Sequence, residues 1–165
     1  MDNTATREVV FPVRIGVALL ALGTAGIHLY LFLIEGFLGN GQMLPIYQLL
    51  FVGNVFGYVT LAAALLLPIS PLARVRSFVR VALVSIAVAS IASYFYVGVL
   101  DAVGHTDKAI EVLLILLATV DAATSRPGED LAGRFAGGAT GATVQLLTGL
   151  VVGAVMFLAL TPFMI

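Results

Sequence analysis

The sequence predicts an all-α integral membrane protein, a bundle of five transmembrane helices forming a single domain over residues 1–165. Three observations carry this expectation. Hydrophobic residues make up 61% of the 165 residues and charged residues only 10%, against about 25% charged in a soluble domain. Mean hydropathy is +1.11, more than one water-solvated core accounts for. The apolar residues also fall into five runs, and the basic residues between them fall almost entirely on one side.

The runs cover residues 13–38, 46–67, 77–100, 106–125 and 139–165. A bilayer core of about 30 Å takes roughly 20 helical residues, which the first, second, third and fifth runs supply. The first run contains "VALLALGTAG", with small residues near Ala25, as a cleaved signal would. It continues well past Ala25, as a retained anchor does. The second ends at Pro68. The fourth starts with Lys108 and Glu111, ends near Asp121, and has an uninterrupted apolar stretch only over 112–120. It is expected to span with its polar ends buried against neighbours; a re-entrant or interfacial helix is the alternative. The connectors "GNGQMLP" (39–45) and "PISP" (68–71) carry helix breakers. The longest polar connector, "SRPGEDLAGRFAGG" (125–138), has a part suited to a surface helix. No internal repeat is evident.

The basic residues favour five spans. Arg7, Arg14, Arg74, Arg76, Arg80, Arg126 and Arg134 fall on one side, and Lys108 alone on the other. By the positive-inside rule the N-terminus is cytoplasmic and the C-terminus outside, in the cell membrane. Four spans would move Arg126 and Arg134 to the side of Lys108.

Several functions lose support at once. Cysteine is absent, which removes disulfides, thiolate metal sites and thiol nucleophiles. A net charge of −1 gives no general attraction to nucleic acid. No Gly-rich phosphate loop, His-Glu-x-x-His or Gly-x-Ser-x-Gly is present, so no catalytic residue is nominated.

The polar residues inside the runs are arranged in stripes. Helical neighbours recur at three, four and seven residues. Thr24, His28 and Glu35 share a face of the first helix; Tyr47, Asn54 and Tyr58 share one of the second. Ser90, Tyr94 and Asp101 do so on the third, and Lys108 and Glu111 sit one turn apart on the fourth. At 1.5 Å per residue, His28 lies roughly 21 Å beyond Arg14, in the outer half of the bilayer. The other stripes fall in the same half, and the inner half holds little besides rim arginines and Asp121. Ionisable groups in a membrane usually face the bundle interior and pair. The candidate ligand-binding cluster is therefore His28, Glu35, Asn54, Tyr58, Tyr94, Lys108 and Glu111, with Glu35 and Lys108 as opposite charges and Tyr94, Asn54 or a water as the partner of His28.

The remaining features have more ordinary roles. Asp101, His105, Asp107 and Lys108 are expected to form a solvated rim. Tyr30, Tyr47, Tyr94 and Tyr96 suit interfacial anchors. Arg74, Arg76 and Arg80 suit anionic lipid headgroups. His28 and His105 lie at different depths, which disfavours bis-histidine haem and a His28–Glu35–His105 metal site; no metal is assigned. Gly53-x-x-x-Gly57, Gly149-x-x-x-Gly153 and the stripe Ser85, Ala89, Ser93 are helix-packing faces.

The run "GIHLYLFLIEGF" followed by "LPIYQLLFVGNVFGYV" resembles small multi-pass membrane proteins of prokaryotes with no characterised function. The resemblance covers residues 20–67 and implies no activity. The expected function is a small integral subunit or accessory protein of a larger membrane complex, because soluble domains and catalytic motifs are lacking and the fifth helix offers a glycine face to a neighbour. Its partners would be lipid and other membrane subunits or further copies of the chain. The alternatives are a ligand-binding or transport protein using the outer cluster as a pocket, and an electron-transfer subunit holding haem, quinone or carotenoid.

Overall fold

Helix breakers set most of the element ends. The computed structural model describes residues 3–38, 43–98, 100–125, 131, 133 and 137–164, with the side chains of these except 3–10 and 35–37. Helix α1 runs Asn3–Leu31 and widens into a π-helical turn at Phe32–Phe37. Helix α2, Pro45–Leu66, begins on a proline, whose missing N–H costs nothing in the first turn. A short helix α3, Ser70–Ala73, fills the "PISP" connector. Helix α4 runs Arg76–Val97 and stops at Gly98, whose φ of 75° is the left-handed conformation favoured after a helix C-terminus. Helix α5 covers Ala102–Thr124, and α6 covers Gly138–Leu160 before a 3-10 turn at Thr161–Phe163. All described elements are helical.

Four segments are long and apolar enough to cross a membrane: Phe11–Ile34, Pro45–Leu66, Arg76–Val97 and Gly138–Phe163. The chain thus has the build of a multi-pass membrane protein. Helix α5 is as long, at 23 residues, but its charges exclude it from that set on composition. It begins four residues earlier than the sequence suggested. Asp101 does not end the preceding helix; its carboxylate accepts the Gly104 N–H at 2.6 Å and caps α5.

Helix α1 packs on α2 and α5, while α4 packs on α6, α5 and α2. The core joins Val17 and Ala21 of α1, Tyr58 and Leu65 of α2, Leu83 of α4, and Leu114 and Ala118 of α5. Small residues at these contacts let the backbones approach, which is how helices associate in lipid. The outer surface is apolar: Leu19, Phe56, Phe78, Leu116, Val151 and Leu158 are each more than half exposed. A soluble protein rarely tolerates so broad an apolar surface.

The two glycine motifs have different fates. A Cβ on Gly153 would sit 2.7 Å from the Ser85 carbonyl oxygen, and one on Gly149 would sit 2.5 Å from a Val84 methyl. Their face is therefore sealed against α4 within the chain. Gly53 is exposed and a Cβ there meets nothing within 4 Å, whereas Gly57 lies close to Ile86. Only the second half of that motif is a packing position. Gly153→Ala is expected to destabilise the bundle by about 1–3 kcal/mol, the usual cost of overpacking, and Gly53→Ala to leave it unchanged. Unfolding in mixed micelles measures both.

Candidate functional site: a buried polar network beneath an apolar cavity

Every charged residue of helix α5 points inward. Asp107, Lys108, Glu111 and Asp121 are all buried, and they share an arc with Gly104, Leu114 and Ala118. The opposite arc is apolar and exposed, with Val112, Leu113, Leu116 and Val120. This is an amphipathic helix turned inside out. An apolar environment around the outer arc would favour that rotation, because it solvates aliphatic side chains and rejects charges.

Lys108 organises the inward charges at one end. Its Nζ donates to Glu111 Oε2 at 2.6 Å and to Ser90 Oγ at 2.6 Å, and it lies 2.9 Å from Asp107 Oδ2. All three ammonium protons are thereby used. Glu111 Oε1 accepts from the Tyr58 hydroxyl at 2.9 Å. Thr24 of α1 donates to the second oxygen of Asp107. His28 Nδ1 lies 2.9 Å from the Thr24 carbonyl oxygen and therefore donates to it. That leaves Nε2 to accept from the Asn54 amide nitrogen, also at 2.9 Å. Helices α1, α2, α4 and α5 each supply a partner, so the network ties them to one another.

A cavity of about 290 Å³ lies above this network. His28, Asn54, Ser90, Asp107 and Lys108 form its polar floor, and Leu31, Leu50, Phe51, Ile86, Met156 and Leu160 form its apolar walls. Tyr47, Tyr94 and Asp101 also line it. The Tyr47 hydroxyl donates to the Met164 carbonyl oxygen at 2.7 Å, holding the C-terminal turn against α2 beside the cavity.

The sequence-nominated residues divide clearly. His28, Asn54, Tyr58, Lys108 and Glu111 converge. The Glu35 side chain lies outside the described residues; the charge partners of Lys108 are Asp107 and Glu111. Tyr94 lines the cavity, but its hydroxyl meets His105 Nδ1 at 2.9 Å and the Asp101 backbone, not His28. The expected solvated rim holds only for Asp101 and His105, which are exposed. Asp107 and Lys108 are 2% and 8% exposed, and the reason is α5's rotation. Asp107 was missed as a site residue, although its spacing of four from Glu111 already placed the two carboxylates on one arc.

Metal-ligand geometry also differs from the sequence expectation. His105 bonds Tyr94 and the Asp101 carbonyl instead, whereas His28, Asp107 and Glu111 each bring a potential ligand atom to within 4.8 Å of one another. The Lys108 ammonium already bonds both carboxylates, and His28 Nδ1 is committed to a backbone carbonyl. Each of the three groups is thus already bonded within the chain.

The other end of the bundle is not bare, as the sequence suggested. Arg80 donates through Nη1 to Asp121 Oδ2 at 2.8 Å and through Nε to Gln145 Oε1 at 2.8 Å. Arg14 Nε lies 3.4 Å from the second Asp121 oxygen. Arg80 is only 2% exposed, so it serves the bundle and not a lipid headgroup. Arg74 remains exposed, and Arg76 is partly so. Arg126 and Arg134 lie outside the described residues.

Comparison with protein-family models, curated proteins and solved structures finds no match to this chain.

Lys108→Met leaves two buried carboxylates without their cation and is expected to cost about 3–5 kcal/mol. In a Glu111→Gln background the same change is expected to cost less, with a coupling of about 0.5–3 kcal/mol. A double-mutant cycle on unfolding free energies reads the difference.

Proposed function

We propose that this protein crosses the cell membrane five times, N-terminus cytoplasmic, and binds a small amphipathic molecule in the cavity. The observation that carries binding is the cavity's construction. Its walls are aliphatic and aromatic, while its floor presents Asn54, Ser90 and the Lys108–Asp107 pair. Ligand pockets are typically apolar with a few placed polar groups that fix orientation. A polar head would rest on the floor and an apolar body against Phe51, Ile86 and Met156.

Five spans are supported by α5 itself. Its exposed arc suits lipid, and its four charged groups all have partners inside the bundle. The seven-to-one division of basic residues gives the orientation.

Binding is favoured over conduction. Val17, Ala21, Leu83, Leu114 and Ala118 pack as an apolar layer between the two polar networks. A ligand in the cavity would have access from one end only. Binding is also favoured over a purely accessory role, one of whose three motives was the glycine face of the last helix. That face is occupied by α4 within the chain.

The absence of cysteine makes the cavity directly testable. Ser93 lines the cavity and Ala87 is wholly buried elsewhere. In lipid nanodiscs, Ser93→Cys is expected to react with methyl methanethiosulfonate, and Ala87→Cys is not. Adding Ala89→Phe to fill the cavity is expected to slow the Ser93→Cys reaction by about tenfold, on the order of 1.4 kcal/mol in barrier. Equal labelling at both positions, or none at Ser93→Cys, contradicts the pocket.

A further inference from the structure

We infer that the cavity selects a lipophilic cation, a molecule with a positively charged amine or quaternary head on an apolar body. The inference rests on the pocket proposed above and adds the charge of its occupant. Its basis is the set of ionisable groups at and behind the cavity floor, where Asp107 and Lys108 line the cavity and Glu111 is buried against Lys108. Asp107 and Glu111 are two buried carboxylates, and Lys108 is the single buried ammonium that meets them. His28 donates from Nδ1 to a carbonyl and accepts at Nε2 from Asn54, which is the bonding of a neutral imidazole. Two carboxyl groups thus meet one ammonium group. Asp101 is exposed and adds a second carboxyl group to the cavity lining.

Lys108 is the one basic side chain among the described cavity-lining residues, and its three protons are spent on Ser90, Asp107 and Glu111. An anionic head would meet the lining carboxyl groups of Asp101 and Asp107 and no available ammonium proton. A cationic head would complete the balance in a desolvated site, where opposite charges interact strongly.

The walls favour an organic cation over a hydrated metal ion. Phe51, Tyr47 and Tyr94 line the cavity, and aromatic faces attract weakly hydrated cations. The Tyr94 ring already meets one cation, the Lys108 ammonium 5.9 Å from its centre. Leu31, Leu50 and Met156 offer apolar contact to the rest of the molecule.

The test uses three probes of one shape: 4-phenylbutylammonium, 4-phenylbutanol and 4-phenylbutyrate. Each is titrated calorimetrically into the full chain in nanodiscs at neutral pH, with empty nanodiscs subtracted. The cation is expected to bind about tenfold more tightly than the alcohol, and the carboxylate more weakly than either. Asp107→Asn is expected to abolish the preference for the cation over the alcohol. Should that variant fail to fold, Ser93→Cys supplies the second readout. Its rate with a trimethylammonium-bearing methanethiosulfonate should exceed that with a sulfonate-bearing one by about tenfold, each normalised to a small free thiol. Failure of the cation to bind, equal or tighter binding of alcohol or carboxylate, or equal normalised rates overturns cation selection. The pocket survives those outcomes if uncharged reagent still labels Ser93→Cys and Ala89→Phe suppresses it; loss of that labelling overturns the pocket as well.

Discussion

The bonding of Lys108 to Asp107 and Glu111 is the interaction on which the rest of the bundle depends. Two carboxylates buried among apolar helices are untenable without a cation beside them. Lys108 follows Asp107 directly and precedes Glu111 by three residues, so one turn of α5 carries both acids and their counter-ion. Once that turn faces inward, the helix presents Val112, Leu113, Leu116 and Val120 to its surroundings. The remaining lone pairs then recruit Thr24 from α1 and Tyr58 from α2, while Ser90 of α4 accepts from the lysine. The pairing specifies how α5 is rotated and which faces of three neighbours meet it.

A second network performs the same task at the other end. Asp121, one arc and almost three turns along α5 from Glu111, accepts from Arg80, which also donates to Gln145 of α6. Between the networks lies the apolar layer of Val17, Ala21, Leu83, Leu114 and Ala118. Helix α5 is thus pinned by polar bonds at both ends and by close packing in the middle. Helix α6 is held differently, by Gly149 and Gly153 against the α4 backbone. This division leaves α6 nearly free of polar residues at the cavity, where it contributes Met156 and Leu160 as wall. The cavity is polar below because the network must be there, and apolar at its sides because lipid-facing helices enclose it.

Much of the architecture was legible in the sequence, and the gaps have specific causes. Hydropathy located α1, α2, α4 and α6, since each is apolar on most faces. Periodicity brought His28, Asn54, Tyr58, Lys108 and Glu111 together, because shared helical faces survive without knowledge of the partner helix. The start of α5 was misplaced because Asp101 reads equally as the polar end of one helix and the cap of the next. Asp107 was assigned to solvent for the same reason: charge near a connector suggests a rim unless the helix rotation is known. Arg80 was assigned to lipid headgroups because its partners, Asp121 and Gln145, come from two helices distant in sequence. Pairing between remote elements is a property of packing, and one sequence encodes it only implicitly.

Solid-state NMR on the protein in lipid bilayers tests the central pairing most directly. Rotational-echo dephasing between the Lys108 side-chain ¹⁵N and the ¹³C carboxyl carbons of Asp107 and Glu111 reports whether the three groups touch. The account requires an ammonium nitrogen dephased strongly by both carboxyl carbons, with the Lys108→Met spectrum assigning the signal. A Lys108 nitrogen that shows no dephasing from either carboxyl carbon, or that resonates as a neutral amine, would contradict it.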